Sequence, residues 1–104
     1  MTELCAVSDL NEGSSIGFHS HRGPVFIVFY DGQIHIYKNR CPHRETNLEF
    51  LENQFLDDEG QLIQCSMHGA LFEIKTGRCL SGPCRGDSLS KLDFKIQNGK
   101  IILL

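Results

Sequence analysis

The sequence of 104 residues lacks any apolar run long enough to cross a membrane. Its longest such run is Val25–Tyr30, far short of the roughly 20 residues that a spanning helix requires. The opening residues Met1–Cys5 also lack the basic segment and the apolar stretch of a secretion signal. We therefore expect a soluble protein of the cytoplasm, with no membrane partner.

A strong excess of either charge is also absent. Ten Lys and Arg against thirteen Asp and Glu give a net charge of −3, and the basic residues form no patch or stripe. We therefore expect no nucleic-acid partner. The length fits one domain, so residues 1–104 are predicted to form a single unit. Hydrophobic residues make up 40% of the chain, enough for a modest core that a metal centre would help to stabilise.

The five cysteines do not indicate a disulfide framework, because their number is odd and no secretion signal precedes them. Cysteines in such a chain more often bind metal or stay reduced. Cys5 lies apart from the others and is predicted to be a small buried core residue.

A β-rich run, Pro24–Tyr30, is followed by Asp31-Gly32 and a second run, Gln33–Tyr37. An Asp-Gly pair between such runs is typical of a type I′ hairpin turn, since both residues must accept positive φ. The second run alternates in polarity. The alternation predicts that His35 lies on the polar face of its strand and is a surface residue.

The C-terminal stretch has the same design. Leu92, Phe94 and Ile96 alternate with polar residues, Asn98-Gly99 provides the turn, and an apolar run returns over 101–104. Two hairpins in a chain of this length predict an all-β fold, a small and mainly antiparallel β domain.

The segment Glu45–Asp57 fits two structures. Its apolar residues match a helical face, yet the stretch is short and ends at Asp57-Asp58-Glu59-Gly60, which is typical of a turn. A short helix and an irregular loop therefore both remain open. The acidic run is predicted to be solvated, although it would also attract a basic partner.

Two local motifs combine cysteine with histidine. Cys41 and His43 form a C-x-H motif, and Cys65 and His68 form a C-x-x-H motif after an interval of twenty-one residues. Each motif follows a β-like run, so two loops at the ends of neighbouring strands would bring the four side chains together. A structural zinc site also uses two cysteines and two histidines. Zinc fingers, however, pair cysteines on one knuckle and histidines on a helix, whereas each loop here mixes both types.

These motifs resemble the ligand loops of the Rieske [2Fe–2S] family. The stretch from Cys65 to Pro83 is similar to the second ligand loop and the segment that follows it, ending in the proline loop Ser81-Gly82-Pro83. Cys41-Pro42-His43-Arg44 is similar to the first ligand loop. The resemblance implies one [2Fe–2S] cluster, held by residues of a cluster-binding part over about 38–85. It also implies that Cys41 and Cys65 bind one iron, and that His43 and His68 bind the other.

The resemblance further implies a one-electron carrier without a substrate site of its own, similar to the ferredoxins of ring-hydroxylating oxygenases. A flavin-dependent reductase would supply the electron, and an oxygenase or a reductase would accept it. A small subunit of a larger reductase of the nitrite reductase type is an alternative. A zinc-binding interaction module is a third hypothesis.

Ala70 and Phe72 occupy the positions at which respiratory members carry a Ser and a Tyr that donate hydrogen bonds towards the sulfurs. Neither side chain donates, so the resemblance implies a low reduction potential. Thr46 and Met67 stand where those members have a disulfide, which cannot form here. The interval over 47–60 is several residues longer than is usual in the oxygenase ferredoxins.

The other cysteines and histidines, and the arginine beside His43, are not predicted to bind metal. Cys79 and Cys84 flank the proline loop and are predicted to pack near the cluster and not to form a disulfide. His19 and His21 are predicted to lie in an exposed loop, and Arg44 is predicted to be a solvated charge.

Overall fold

The computed structural model describes residues 1–40, 53–65, 69–82 and 86–104. Their secondary structure consists of strands and one 3₁₀ turn, Val7–Asp9, which confirms the predicted all-β class. The strands are β1 (Thr2–Ala6), β2 (Ser14–Ser20), β3 (Gly23–Tyr30), β4 (Gln33–Lys38), β5 (Leu62–Gln64), β6 (Leu71–Glu73), β7 (Cys79–Ser81), β8 (Phe94–Gln97) and β9 (Lys100–Leu103).

The strands form three antiparallel sheets of three strands each. We call β2-β3-β4 the central sheet, β1-β9-β8 the terminal sheet and β5-β6-β7 the small sheet. Both predicted hairpins are confirmed. Asp31 and Gly32 have φ of 54° and 71°, and Asn98 and Gly99 have φ of 52° and 74°, as a type I′ turn requires.

The central sheet is covered on both faces, and β3 shows this most clearly. Phe26 and Val28 belong to a core cluster shared with residues of the small sheet. Their neighbours Val25 and Ile27 belong to a second cluster, shared with residues of the terminal sheet. Successive strand residues point to opposite faces, so the central sheet is the middle layer of the molecule.

The prediction for His35 is wrong, because its side chain is only 4% exposed. The face of β4 that carries it also carries Tyr37, and this face packs on the small sheet and not against water. Alternation shows that the two faces of a strand differ, but it does not show which face meets solvent. Burial, followed by the charges of Lys91 and Lys75, lowers the pKa of His35. Neither ring nitrogen has a hydrogen-bond partner among the described residues.

Most of the ambiguous segment Glu45–Asp57 lies outside the described residues. Its described end contains no helix, and Leu56 forms a β-bridge with Ile63. The predicted turn after it is confirmed. The Gly60 amide donates to the Asp57 carbonyl, and the Asp57 side chain accepts from the amides of residues 61 and 62. Asp58 and Glu59 are exposed, as expected of solvated charges.

Two other predictions need correction. Cys5 packs against the second core cluster but is only partly buried, because β1 is an edge strand with a register shift between Glu3 and Cys5. His19 is exposed, as predicted, but lies in β2 and not in a loop. His21 does lie in the turn, where its Nδ1 is 2.6 Å from the Thr2 hydroxyl. Within the described ranges, no helix is long and apolar enough to cross a membrane.

Candidate metal centre

Cys65 is the predicted ligand whose surroundings the structure describes. It directly follows β5 and is fully buried. Its amide donates to the Ala70 carbonyl at 2.9 Å, and its carbonyl accepts from the Gly69 amide at 2.8 Å. These two bonds close the loop between β5 and β6 at its base. Cys65 therefore lies at the mouth of a hairpin loop whose ends are fixed by backbone hydrogen bonds.

The other three predicted ligands, Cys41, His43 and His68, lie outside the described residues. The chain leading to the first of them is well anchored. The Asn39 amide donates to the Pro24 carbonyl at 3.0 Å, which holds the end of β4 against β3. Arg40 follows and is exposed. The first ligand motif therefore starts directly from the end of the central sheet.

A strap over residues 87–92 joins the central sheet to the small sheet. Its backbone pairs with β4 on one side and with the turn and strand after β6 on the other. The four amide-to-carbonyl bonds are Lys38 to Ser90 (2.9 Å), Leu92 to Ile36 (2.9 Å), Leu89 to Gly77 (2.8 Å) and Cys79 to Asp87 (2.9 Å). The strap thus joins β4, which leads to the first motif, by main-chain bonds to the part of the small sheet that follows the Cys65 loop.

The segment 53–57 makes a second connection between the same two sheets. Phe55 is fully buried and stacks on Phe26 with ring centroids 4.4 Å apart and planes 5° from parallel. The Phe55 carbonyl accepts from the Gln64 amide, next to Cys65. Gly17 allows the close approach, because a Cβ there would lie 3.1 Å from the Phe55 ring.

The proline loop approaches the Cys65 hairpin through Gly82. A Cβ on Gly82 would lie 2.8 Å from the Ala70 Cα, and its φ of +107° is one that residues with a side chain rarely adopt. Only glycine lets the chain come this close to the loop that Cys65 begins. Pro83 itself lies outside the described residues. The sequence signal for this contact was the Ser81-Gly82-Pro83 motif.

Cys65 belongs to a core cluster of buried, mainly apolar side chains. Ala70, Phe72 and Cys79 belong to the same core cluster and are at most 3% exposed. Cys79 is buried in the same core cluster as Cys65 and forms no disulfide within the described ranges. Its packing near the iron–sulfur cluster stays a prediction, and Cys84 lies outside the described residues. The cysteine and histidine donors of the two motifs match the ligand set of a Rieske centre, and a dry apolar wall beside the thiolate suits such a site. The residues present therefore fit a [2Fe–2S] cluster.

Comparison with known proteins identifies the family. Residues 1–97 match the model of the Rieske [2Fe-2S] domain. The chain belongs to the Rieske [2Fe–2S] family. Membership brings one [2Fe–2S] cluster, which takes up and releases one electron at a time. This Rieske protein is therefore a one-electron transfer protein.

Relatives of this Rieske protein are ferredoxins of oxygenase systems. The ferredoxin component of the alkene monooxygenase system of Xanthobacter autotrophicus is 28% identical, over 97% of this chain and 78% of the relative. The ferredoxin subunit of the 3-phenylpropionate/cinnamic acid dioxygenase of Shigella flexneri is also 28% identical, over 95% and 88%. The solved ferredoxin of Sphingomonas yanoikuyae B1 has a TM-score of 0.78 at 23% identity, over 98% of this chain and 95% of that one.

Proposed function

We propose that Cys41 and Cys65 bind one iron of the cluster through sulfur, and that His43 and His68 bind the other through nitrogen. The motif around Cys65 supports this, because that cysteine begins a hairpin loop closed by two backbone bonds. The first motif starts at the end of β4, which the strap over 87–92 joins to the same small sheet. We also propose that residues 1–104 form one domain, since the central sheet shares a core with each of its two neighbours.

The proposed ligand set determines the charge of the centre. Two ferric ions and two sulfides carry a formal charge of +2, which two thiolates cancel. The oxidised site is then neutral, whereas four thiolates would leave it at −2. Adding an electron to a neutral site costs less, which is why Rieske centres have potentials of about −150 to +300 mV against about −400 mV for plant-type ferredoxins.

This chain's own groups would favour the lower part of that range. Ala70 and Phe72 are fully buried in the hydrophobic core cluster that includes Cys65, and neither side chain donates a hydrogen bond. A reduced, negative centre therefore receives no hydrogen bond from these two side chains. We expect the Phe72→Tyr variant to have a higher midpoint potential than the wild type in voltammetry. An unchanged potential in folded Phe72→Tyr protein would mean that this position does not face the sulfurs.

The chain would carry single electrons from a flavin-dependent reductase to an oxygenase. Relatives that are ferredoxin components of a monooxygenase and a dioxygenase system support this role. With two cysteines and two histidines as ligands, every iron position is filled by the protein or by sulfide. A filled coordination shell leaves no position for a substrate, so the chain would act as a carrier and not as an enzyme.

Metal analysis combined with one ligand variant tests the proposal. The wild type should contain iron and acid-labile sulfide in equal amounts and no stoichiometric zinc. The His68→Cys variant adds a thiolate, so its potential should fall or its cluster should fail to assemble. His19→Cys is the matched control, since His19 is an exposed residue of β2. Stoichiometric zinc in a colourless wild type, or an unchanged potential in His68→Cys, would refute the ligand assignment.

A further inference from the structure

Both tyrosines of the chain extend from the central sheet and donate a hydrogen bond to the small-sheet side of the molecule. The Tyr37 hydroxyl donates to the Ile74 carbonyl in the interior, and the Tyr37 side chain is fully buried. The Tyr30 hydroxyl donates to the Gln61 side chain at 2.8 Å, at the surface. The two contacts are alike in chemistry and differ in burial, so each is a control for the other.

The Tyr37 ring is enclosed on several sides. Phe26 lies against it with ring centroids 5.8 Å apart. On another side is Gly77, where a Cβ would lie 2.7 Å from the Tyr37 Cε1 atom. Burial, followed by the charge of Glu73, raises the pKa of Tyr37 to about 12. The hydroxyl therefore keeps its proton and donates to Ile74 at every pH at which the protein would work.

One end of this hydrogen bond lies on β4, which leads to the first proposed ligand motif, and the other end lies directly after β6, the strand that follows the Cys65 loop. Tyr37 is in β4, four residues before Cys41. Ile74 directly follows β6, and β6 begins at the residue after Ala70, which closes the Cys65 loop. The strap over 87–92 joins β4 to the turn after β6 and to β7 through main-chain bonds, whereas the Tyr37 contact joins β4 to the end of β6 through the core.

We propose that Tyr37 is a positioning residue for the cluster, because its hydroxyl fixes β4 against the small sheet and thereby sets the separation of the two ligand motifs. This inference rests on the proposed ligand set. A centre that takes donors from two loops needs those loops at a constant distance. The strands of the small sheet have three residues each, so its position depends strongly on contacts of this kind.

Removing the hydroxyl should loosen the centre without removing a ligand. In the Tyr37→Phe variant the ring still packs, but the Ile74 carbonyl loses its buried donor. The two loops then separate more often, and a chelator reaches the irons during these openings. We expect iron loss to a chelator to be about tenfold faster than in the wild type. The loss of one net hydrogen bond changes the equilibrium between closed and open loops by about that factor. We also expect broader electron paramagnetic resonance lines in the reduced protein, because the ligand geometry is less uniform.

The test uses the iron-loaded protein and two matched pairs of variants. Tyr30→Phe loses the same hydroxyl at the surface and should match the wild type in both measurements. Gly77→Ala pushes on the Tyr37 ring most closely, at 2.7 Å, and on Leu89 of the strap at 3.2 Å, and it retains the hydroxyl, so its lines should broaden even if Tyr37→Phe does not fold. Gly99→Ala has the same backbone strain at φ of +74° but no atom within 4 Å of the added Cβ, and it should leave the spectrum unchanged.

The outcomes separate this inference from the proposed function. A wild type without the spectrum of a mixed sulfur and nitrogen centre would overturn the proposed ligand set. If the wild type has this spectrum but Tyr37→Phe matches Tyr30→Phe in line width and iron loss, only the proposed role of Tyr37 is overturned. The same conclusion would follow if Gly77→Ala and Gly99→Ala gave identical spectra.

Discussion

The small sheet and the terminal sheet flank the same central sheet but are stabilised in different ways. The terminal sheet has strands of four or five residues and a two-residue turn at Asn98-Gly99. The small sheet has strands of three residues and the longer loop that begins at Cys65. Strands this short have too few backbone bonds to be stable alone, so contacts from outside the sheet must position them. The sheet that contains the loop of the proposed ligands Cys65 and His68 therefore depends most on contacts from outside it.

Replacing Phe55 by alanine should show the largest difference in stability between the two sheets. Its ring is fully buried and stacks on Phe26 beside the small sheet. The Phe55→Ala variant should lose about 3–5 kcal/mol in free energy of unfolding, because the ring leaves a cavity. Phe94→Ala is the control in the terminal sheet, where the side chain is only partly buried, and roughly half that loss is expected. Denaturant titration measures both, and equal losses would contradict the difference between the sheets.

Gly82 should have a smaller effect on stability but a clear effect on the site. In Gly82→Ala the new methyl group meets the Ala70 backbone, and the positive φ adds strain of about 1–3 kcal/mol. The proline loop should move away from the Cys65 hairpin, so the iron content of the purified protein should fall. Gly13→Ala, at φ of +76° with open space around it, should keep its full iron content. Equal iron content in the two variants would mean that this contact does not protect the centre.

Replacing His35 should have a modest effect on the free energy of unfolding, and this effect should depend on pH. Burial and two lysines lower its pKa in the folded state, whereas the unfolded value is near the ordinary 6.5. Below pH 6.5 the unfolded chain binds a proton that the folded chain resists, so the free energy of unfolding should fall as the pH falls. This slope should be shallower in His35→Leu than in the wild type, and it should persist in the surface control His19→Leu. Parallel slopes in His35→Leu and the wild type would show that other groups cause the acid sensitivity.

The comparison of the sheets also explains what the sequence could predict. The turns at Asp31-Gly32 and Asn98-Gly99 were predictable because their chemistry is local, and the two short motifs indicated a candidate centre for the same reason. The hydrogen bond from Tyr37 to Ile74 joins residues 37 positions apart, so no local pattern reveals it. His35 was predicted on the wrong side for a related reason, because only the packing of the small sheet on β4 decides that this face is buried. The strands of the small sheet have three residues each, too few for an alternation of polar and apolar residues to be recognised in the sequence.

Pulsed electron paramagnetic resonance of the dithionite-reduced protein tests the central claim most directly. The account predicts one [2Fe–2S] centre whose spectrum contains nitrogen couplings from two imidazoles, with one coupling lost in a His68→Cys variant that retains iron. A spectrum without nitrogen couplings, as four thiolates give, would contradict it. So would an anaerobically purified protein that contains no iron.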